Sequence, residues 1–156
     1  AQLITAVEEV NDAQKLVIAQ KIITRFGEDL TGFTFGIWGL AFKPGTDDMR
    51  EAPAIYVIKE LVNRGAKIKA YDPKAVNEAK EHYLKGVQNI TYVASKYDVL
   101  KNSDALVLLT EWKEFRSPDF EEIKIQLKTP VIFDGRNQYI AYNLENKGLE
   151  YYRIGK

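Results

Sequence analysis

The chain has 156 residues, enough for one domain of ordinary size. It is 46% apolar, with nine Tyr, seven Phe and two Trp, which excludes disorder because burial on that scale offsets chain entropy. Twenty-two basic and twenty-two acidic residues cancel, so no charge excess argues for nucleic acid or an anionic membrane as the main partner.

There is no cysteine, which rules out disulfides, thiolate metal sites and a Cys nucleophile within the chain, and the one histidine leaves little for a Ser–His arrangement. No apolar run reaches the ~18 residues that a bilayer span needs. The start at Ala1 shows no charged-then-apolar leader. The chain therefore reads as a soluble, cytoplasmic domain.

From Ala1 to Phe26 the apolar residues Leu3, Val7, Val10, Val17, Ile18, Ile22 and Phe26 recur at three and four, the stripe of a long helix that Gly27 stops. At 1.5 Å per residue such a helix runs about 37 Å, longer than a small domain is wide. Its stripe is therefore expected to pack against a second copy.

After Thr31-Gly32 a β-rich run, Phe33 to Trp38, leads into a polar loop from Lys43 to Arg50. Pro53 opens a helix over Ala54 to Asn63, with Ile55, Ile58, Leu61 and Val62 expected on its inner face. A short strand, Lys67 to Tyr71, stops at Asp72-Pro73, a natural cap for the next helix. A weaker strand is expected at Ile90 to Val93 and a short helix near Tyr97 to Leu100.

Ala105 to Leu109 is apolar on both faces, as parallel strands tend to be. Beyond it come a helix over Phe120 to Leu127, a strand at Val131 to Phe133 and a helix around Tyr139 to Asn146. Leu149 to Arg153 is the candidate edge strand. Strands alternating with helical stretches predict βαβ units and a parallel sheet. The expected fold class is α/β, a Rossmann-like three-layer parallel sheet with flanking helices, preceded by a long N-terminal helix.

In such sheets ligands bind past the carboxyl ends of the strands. Those ends carry Gly39 to Arg50, Asp72, Thr110-Glu111 and Asp134 to Arg136. The first loop, Gly36-Ile37-Trp38-Gly39-Leu40-Ala41-Phe42-Lys43, fails the dinucleotide fingerprint, with Trp38 and Ala41 at its second and third glycine positions. Lys43, Arg50 and Arg136 are the informative cations. They suit a diphosphate, which asks for fixed positive charge and forked donors. On spacing alone, pairing with Asp47, Asp48, Glu51, Glu111 or Asp134 is the favoured reading. Asp72 reads as a turn or cap residue, Trp38 and Trp112 as packing anchors, and His82 as exposed. Asp47-Asp48 is too sparse a set for a metal or an acid–base pair.

The block Gly36-Ile37-Trp38-Gly39-Leu40-Ala41-Phe42-Lys43-Pro44-Gly45-Thr46-Asp47-Asp48-Met49-Arg50-Glu51-Ala52-Pro53 resembles the nucleotide-sugar dehydrogenases of the UDP-glucose/GDP-mannose family. Tyr71-Asp72-Pro73, Thr110-Glu111-Trp112 and Phe133-Asp134-Gly135-Arg136 follow in that family's order, and Leu3 to Lys15 is similar to the end of its central helix. The resemblance covers essentially the whole chain. It implies a C-terminal nucleotide-sugar-binding domain at 31–156 and the tail of a dimerisation helix with its linker at 1–30.

Carried over by position, the resemblance implies that Phe42, Lys43 and Arg136 bind a UDP-sugar. Arg50 would reach the pyrophosphate of NAD, a cofactor bound mainly by another domain. It also implies a homodimer through the N-terminal helix, with neither nucleic acid nor membrane as partner. The family oxidises a sugar alcohol through a thioester on a catalytic Cys, a residue this chain lacks, so the expected role is substrate binding without catalysis. Within the family the block is most like the enzymes of UDP-glucose, with those of GDP-mannose and UDP-N-acetylmannosamine as alternatives. A stand-alone binding or interaction module is the rival from another class.

Overall fold

The structure, a computed structural model, describes residues 15–155. Six strands form one sheet, β1 (Thr34–Trp38), β2 (Lys67–Tyr71), β3 (Ile90–Tyr92), β4 (Ala105–Leu108), β5 (Val131–Asp134) and β6 (Glu150–Arg153). Their order is β3-β2-β1-β4-β5-β6 and every pairing is parallel. This is the doubly wound Rossmann order, whose direction of winding reverses between β1 and β4 and opens a crevice there.

Helices cover both faces. On one side lie α1 (Val17–Phe26) and α2 (Pro53–Asn63), over a core that includes Phe35, Ile37, Val107 and Phe133. On the other lies α4 (Phe120–Gln126), over Trp38, Leu106, Leu108 and Ile132. β1, β4 and β5 alternate their side chains between these two cores, which is why they read as continuous apolar runs. Full burial of each Leu, Ile or Phe contributes about 1.5–3 kcal/mol, so the sheet's central strands carry much of the stability.

The long N-terminal stripe is described only from residue 15. In α1, Ile18, Ala19, Ile22 and Ile23 are buried by the domain's own sheet and α2, and Gly27 ends the helix at φ 108° with its N–H on the Ile23 carbonyl. Ile18, Ile22 and Phe26 of the stripe thus pack into the domain's own core, whereas Val17, one of the expected contact residues, is only partly buried. The expected contact residues Leu3, Val7 and Val10 lie outside the described residues.

α2 begins at Pro53 as expected, but its inner face is Ala54, Val57, Ile58 and Leu61, with Ile55 and Val62 only partly buried. After β2 the chain makes one helical turn, α3 (Val76–Glu78), which runs into a wider π turn at Ala79–Tyr83. Among the described residues four 3₁₀ turns stand elsewhere, one of them at Lys113–Phe115. The one at Lys96–Val99 matches the short helix expected near Tyr97. The helix expected around Tyr139 to Asn146 is instead two 3₁₀ turns, Ile140–Tyr142 and Leu144–Lys147. Asn143 between them adopts φ 56°, a left-handed conformation that no continuous helix can contain.

Register aligns the functional edge. Trp38 sits opposite both Tyr71 and Leu108, Leu108 opposite Asp134, and Asp134 opposite Arg153. The loops after β1, β2, β4 and β5 therefore leave the sheet from one row.

Candidate functional site

Loop packing begins with two glycines. Gly39 has φ 99°, and a Cβ on it would stand 2.4 Å from the Thr110 amide nitrogen, so the loops after β1 and β4 can approach this closely only if this residue has no side chain. A Cβ on Gly36 would meet the Val99 carbonyl at 2.7 Å. Both glycines serve close approach within the protein. Trp38 is fully buried and stacks on Phe115 at 4.8 Å between centroids, while its indole N–H donates to the Lys96 carbonyl. It is the packing anchor the sequence suggested.

Asp72 does more than cap. Its Oδ1 accepts the amides of Lys74 and Ala75, both at 2.8 Å, which shapes the turn into α3. Its Oδ2 accepts the amides of Leu40 (2.7 Å) and Ala41 (3.0 Å) and the indole N–H of Trp112 (3.0 Å). Leu40 and Ala41 are the first amides of the glycine loop, the place where a Rossmann domain cradles pyrophosphate. A carboxyl group from β2 occupies that seat. Thr110 closes the loop from the other side by donating its hydroxyl to the Ala41 carbonyl at 2.6 Å.

Beyond the clamp the chain turns outward. Phe42 donates its amide to the Asp48 carbonyl, and buried Met49 anchors the far end of the loop. Between these ties Phe42 is 49% exposed and Lys43 is exposed. Lys43 makes no ion pair among the described residues. Arg50 is 79% exposed and grips Asp48, with Nε 3.1 Å from both carboxyl oxygens and Nη2 2.8 Å from Oδ2. Those bonds, helped by the Arg50 amide, hold the Asp48 carboxyl down to about 2. Glu51 pairs with Lys15.

On the loop after β5, Asp134 is fully buried; its Oδ1 accepts the Arg136 amide (3.0 Å) and its Oδ2 the Tyr139 amide (2.8 Å) and Tyr151 hydroxyl (2.7 Å). Gly135 donates to the Leu108 carbonyl so closely that a Cβ would lie 2.8 Å from that oxygen. Arg136 then turns to Glu111, donating from Nε (2.9 Å) and Nη2 (2.7 Å) to the single oxygen Oε2.

The structure thus gathers Phe42, Lys43, Arg50 and Arg136 on the loops past one row of strand ends. Two of the pairings open in the sequence are made, Arg50 with Asp48 and Arg136 with Glu111. The others are not: Asp134 faces inward, and Glu51 is taken by Lys15. Two roles escaped the sequence reading, Asp72 as a loop clamp and Thr110 as its counterpart, while Glu111 stood there as one of five acids open to the cations. His82 is exposed, as expected. Among the described residues no group of three or more His, Asp or Glu could hold a metal ion, and no helix is long and apolar enough to cross a membrane.

A six-stranded doubly wound sheet with cations on its carboxyl edge and a carboxyl group on the amides of its glycine loop defines a Rossmann-type domain whose loop is closed from within. Residues 36–141 match the model of the UDP-glucose/GDP-mannose dehydrogenase family, UDP binding domain, and the chain belongs to that family.

The UDP-glucose 6-dehydrogenase of Pseudomonas aeruginosa is 39% identical over 158 residues, covering 100% of this chain and 35% of that protein. A UDP-glucose 6-dehydrogenase of Bacillus subtilis is 39% identical over 155 residues, covering 99% and 34%. Among solved structures, a UDP-glucose dehydrogenase from Pyrobaculum islandicum superposes with a TM-score of 0.76 at 30% identity, over 95% of this chain and 31% of that one. The chain spans about a third of the length of these relatives.

Proposed function

We propose that this chain binds a UDP-sugar, as the C-terminal substrate-binding portion of an NAD-dependent UDP-glucose 6-dehydrogenase that converts UDP-glucose to UDP-glucuronate in two hydride transfers. The observation that carries the reading is the pairing of Lys43, after β1, with Arg136, after β5, on opposite sides of the β1–β4 crevice. Their strands are two spacings apart, about 10 Å, a span that a diphosphate with its ribose can bridge. Lys43 supplies an exposed point charge and Arg136 a forked donor, while Phe42 offers an apolar face to the base or sugar.

NAD supplies the hydride acceptor in this reaction. The glycine loop does not fit it, because Asp72 already uses the Leu40 and Ala41 amides. Arg50 does fit a peripheral contact: its guanidinium is mostly exposed and can reach the pyrophosphate of a cofactor held by another domain. The chain contains no cysteine, so a thioester intermediate has no residue here and the role assigned is binding. Dimerisation through the helix at 1–30 belongs to the same reading.

Calorimetric titration with UDP and with GDP tests the proposal. UDP binding with no GDP response supports it, and Arg136→Ala should weaken UDP by about 1.5–3 kcal/mol, the range for hydrogen bonds to charged groups. The reverse preference moves the substrate to a GDP-sugar. No heat with either nucleotide at millimolar concentration overturns the site and favours an interaction module.

A further inference from the structure

The contact between Glu111 and Arg136 has three unusual features. The first is its one-sidedness. Oε2 takes both Nε–H and Nη2–H of Arg136, at 2.9 and 2.7 Å, whereas Oε1 is sealed from solvent with no donor in reach. A buried acceptor without a partner is a desolvation cost, so the fold tolerates a penalty to keep this carboxyl where it is.

The second is the rigidity beneath it. The Arg136 amide is held by Asp134, which is itself fixed by Tyr139 and Tyr151, and Gly135 is hydrogen-bonded to β4. With the backbone fixed, Glu111 removes the freedom that remains, that of the long side chain. The third is orientation. Glu111 covers the Nε side of the guanidinium, which leaves Nη1 and the second hydrogen of Nη2 at the far end of a side chain that is 40% exposed. Those hydrogens form a second bidentate edge.

We propose that Glu111 is a positioning residue for diphosphate recognition, holding Arg136 by its Nε side so that the Nη1–Nη2 edge faces the nucleotide. The inference rests on the UDP-sugar reading and assigns the residue that readies its arginine. Charge alone predicts the opposite of positioning. A carboxylate beside the guanidinium repels an incoming diphosphate, so its removal would tighten binding if Arg136 needed no support. Where Arg136 must be ordered at the moment of binding, its removal loosens the complex.

Two measurements on the whole chain decide. In the ligand-free protein, the Arg136 Nε–H NMR signal should exchange slowly with water in wild type and faster in Glu111→Gln and Glu111→Ala. UDP affinity should fall about 3- to 10-fold in Glu111→Ala, the cost of ordering one rotamer-rich side chain, and less in Glu111→Gln, which keeps an acceptor. In an Arg136→Ala background, Glu111→Gln should no longer weaken UDP binding, and the removal of the repelling charge should tighten it slightly.

Tighter or unchanged UDP binding in both Glu111 variants overturns the proposal, as does Nε–H exchange that Glu111→Gln leaves untouched. If Glu111→Ala does not fold, the isosteric Glu111→Gln carries both readouts. If wild type binds no UDP, the UDP-sugar reading fails and the recognition role fails with it. The exchange signal still separates that case from one in which UDP binds and Glu111 holds nothing.

Discussion

Asp72 and Trp112, forty residues apart, meet through an indole N–H bond of 3.0 Å to Oδ2, the same oxygen that accepts the Leu40 and Ala41 amides. Loops from three strands, β1, β2 and β4, are thereby tied to one atom at the crevice where the sheet reverses. The carboxyl group sits where a dinucleotide-binding loop would receive phosphate. The loop keeps its Rossmann path with its amides already satisfied from within the protein.

Asp72→Ala leaves four amides and an indole without their acceptor in a place only 4% exposed. A loss of at least about 3 kcal/mol is expected, from the cost of orphaned buried donors. Asp72→Asn keeps one carbonyl oxygen and should lose less. Urea unfolding measures both, and an alanine variant within about 1 kcal/mol of wild type would refute the clamp.

Gly39 and Gly45 offer a matched pair on the loop after β1. Both have positive φ, 99° and 88°, but a Cβ on Gly39 runs into Thr110 whereas one on Gly45 meets nothing within 4 Å. Gly45→Ala should cost only the left-handed penalty of about 1–2 kcal/mol. Gly39→Ala adds a backbone collision and should cost at least about 2 kcal/mol more, because the two loops must separate. Equal melting curves for the two variants would show that the approach of Gly39 to Thr110 is relaxed in solution.

The strands and their parallel pairing were legible for a physical reason: β4 and β5 are apolar on both faces because two cores cover them. The last helical stretch misled because the break lies in the left-handed backbone of Asn143, which side-chain character does not reveal. The site was legible as a set of loops and cations, but not as a set of pairs. Five acids stood near Arg50 and Arg136 in sequence, and only the fold shows that Asp134 turns inward and that Glu111 is brought across from β4. Asp72 was recognised as a cap from Asp-Pro, but its bond to Trp112 joins distant loops and leaves no trace in local spacing.

Arg50 and Lys43 lie on one loop yet should separate by ligand. Lys43→Ala is expected to weaken UDP by about 1.5 kcal/mol, the low end for a hydrogen bond to a charged group, and more at low salt than at high. Arg50→Ala should leave UDP affinity within about 0.5 kcal/mol of wild type, since its assigned ligand is the cofactor and surface changes of this kind are small. Calorimetry at two salt concentrations checks both. A matching loss in the two variants would place Arg50 in the nucleotide site instead.

Alkaline stability should be governed by Tyr139. Burial pushes its phenol above the ordinary value of 10.0, and the nearby Asp134 adds to the shift; the hydroxyl donates to the Phe115 carbonyl. A group that stays protonated in the fold but ionises in the unfolded chain contributes full stability below the unfolded pKa. That contribution is lost as pH rises toward the folded one. Above pH 10 the loss attributable to this residue is about 1.4 kcal/mol per pH unit. Tyr92, pushed up to about 12 by burial, acts in the same direction, reduced by its partial exposure. Tyr139→Phe forfeits the hydrogen bond, so its stability at neutral pH should drop by about 1 kcal/mol. Its decline with pH should nevertheless be shallower. Urea unfolding repeated across the alkaline range reads that slope, and parallel slopes for wild type and Tyr139→Phe would show that the Tyr139 phenol does not link folding to pH.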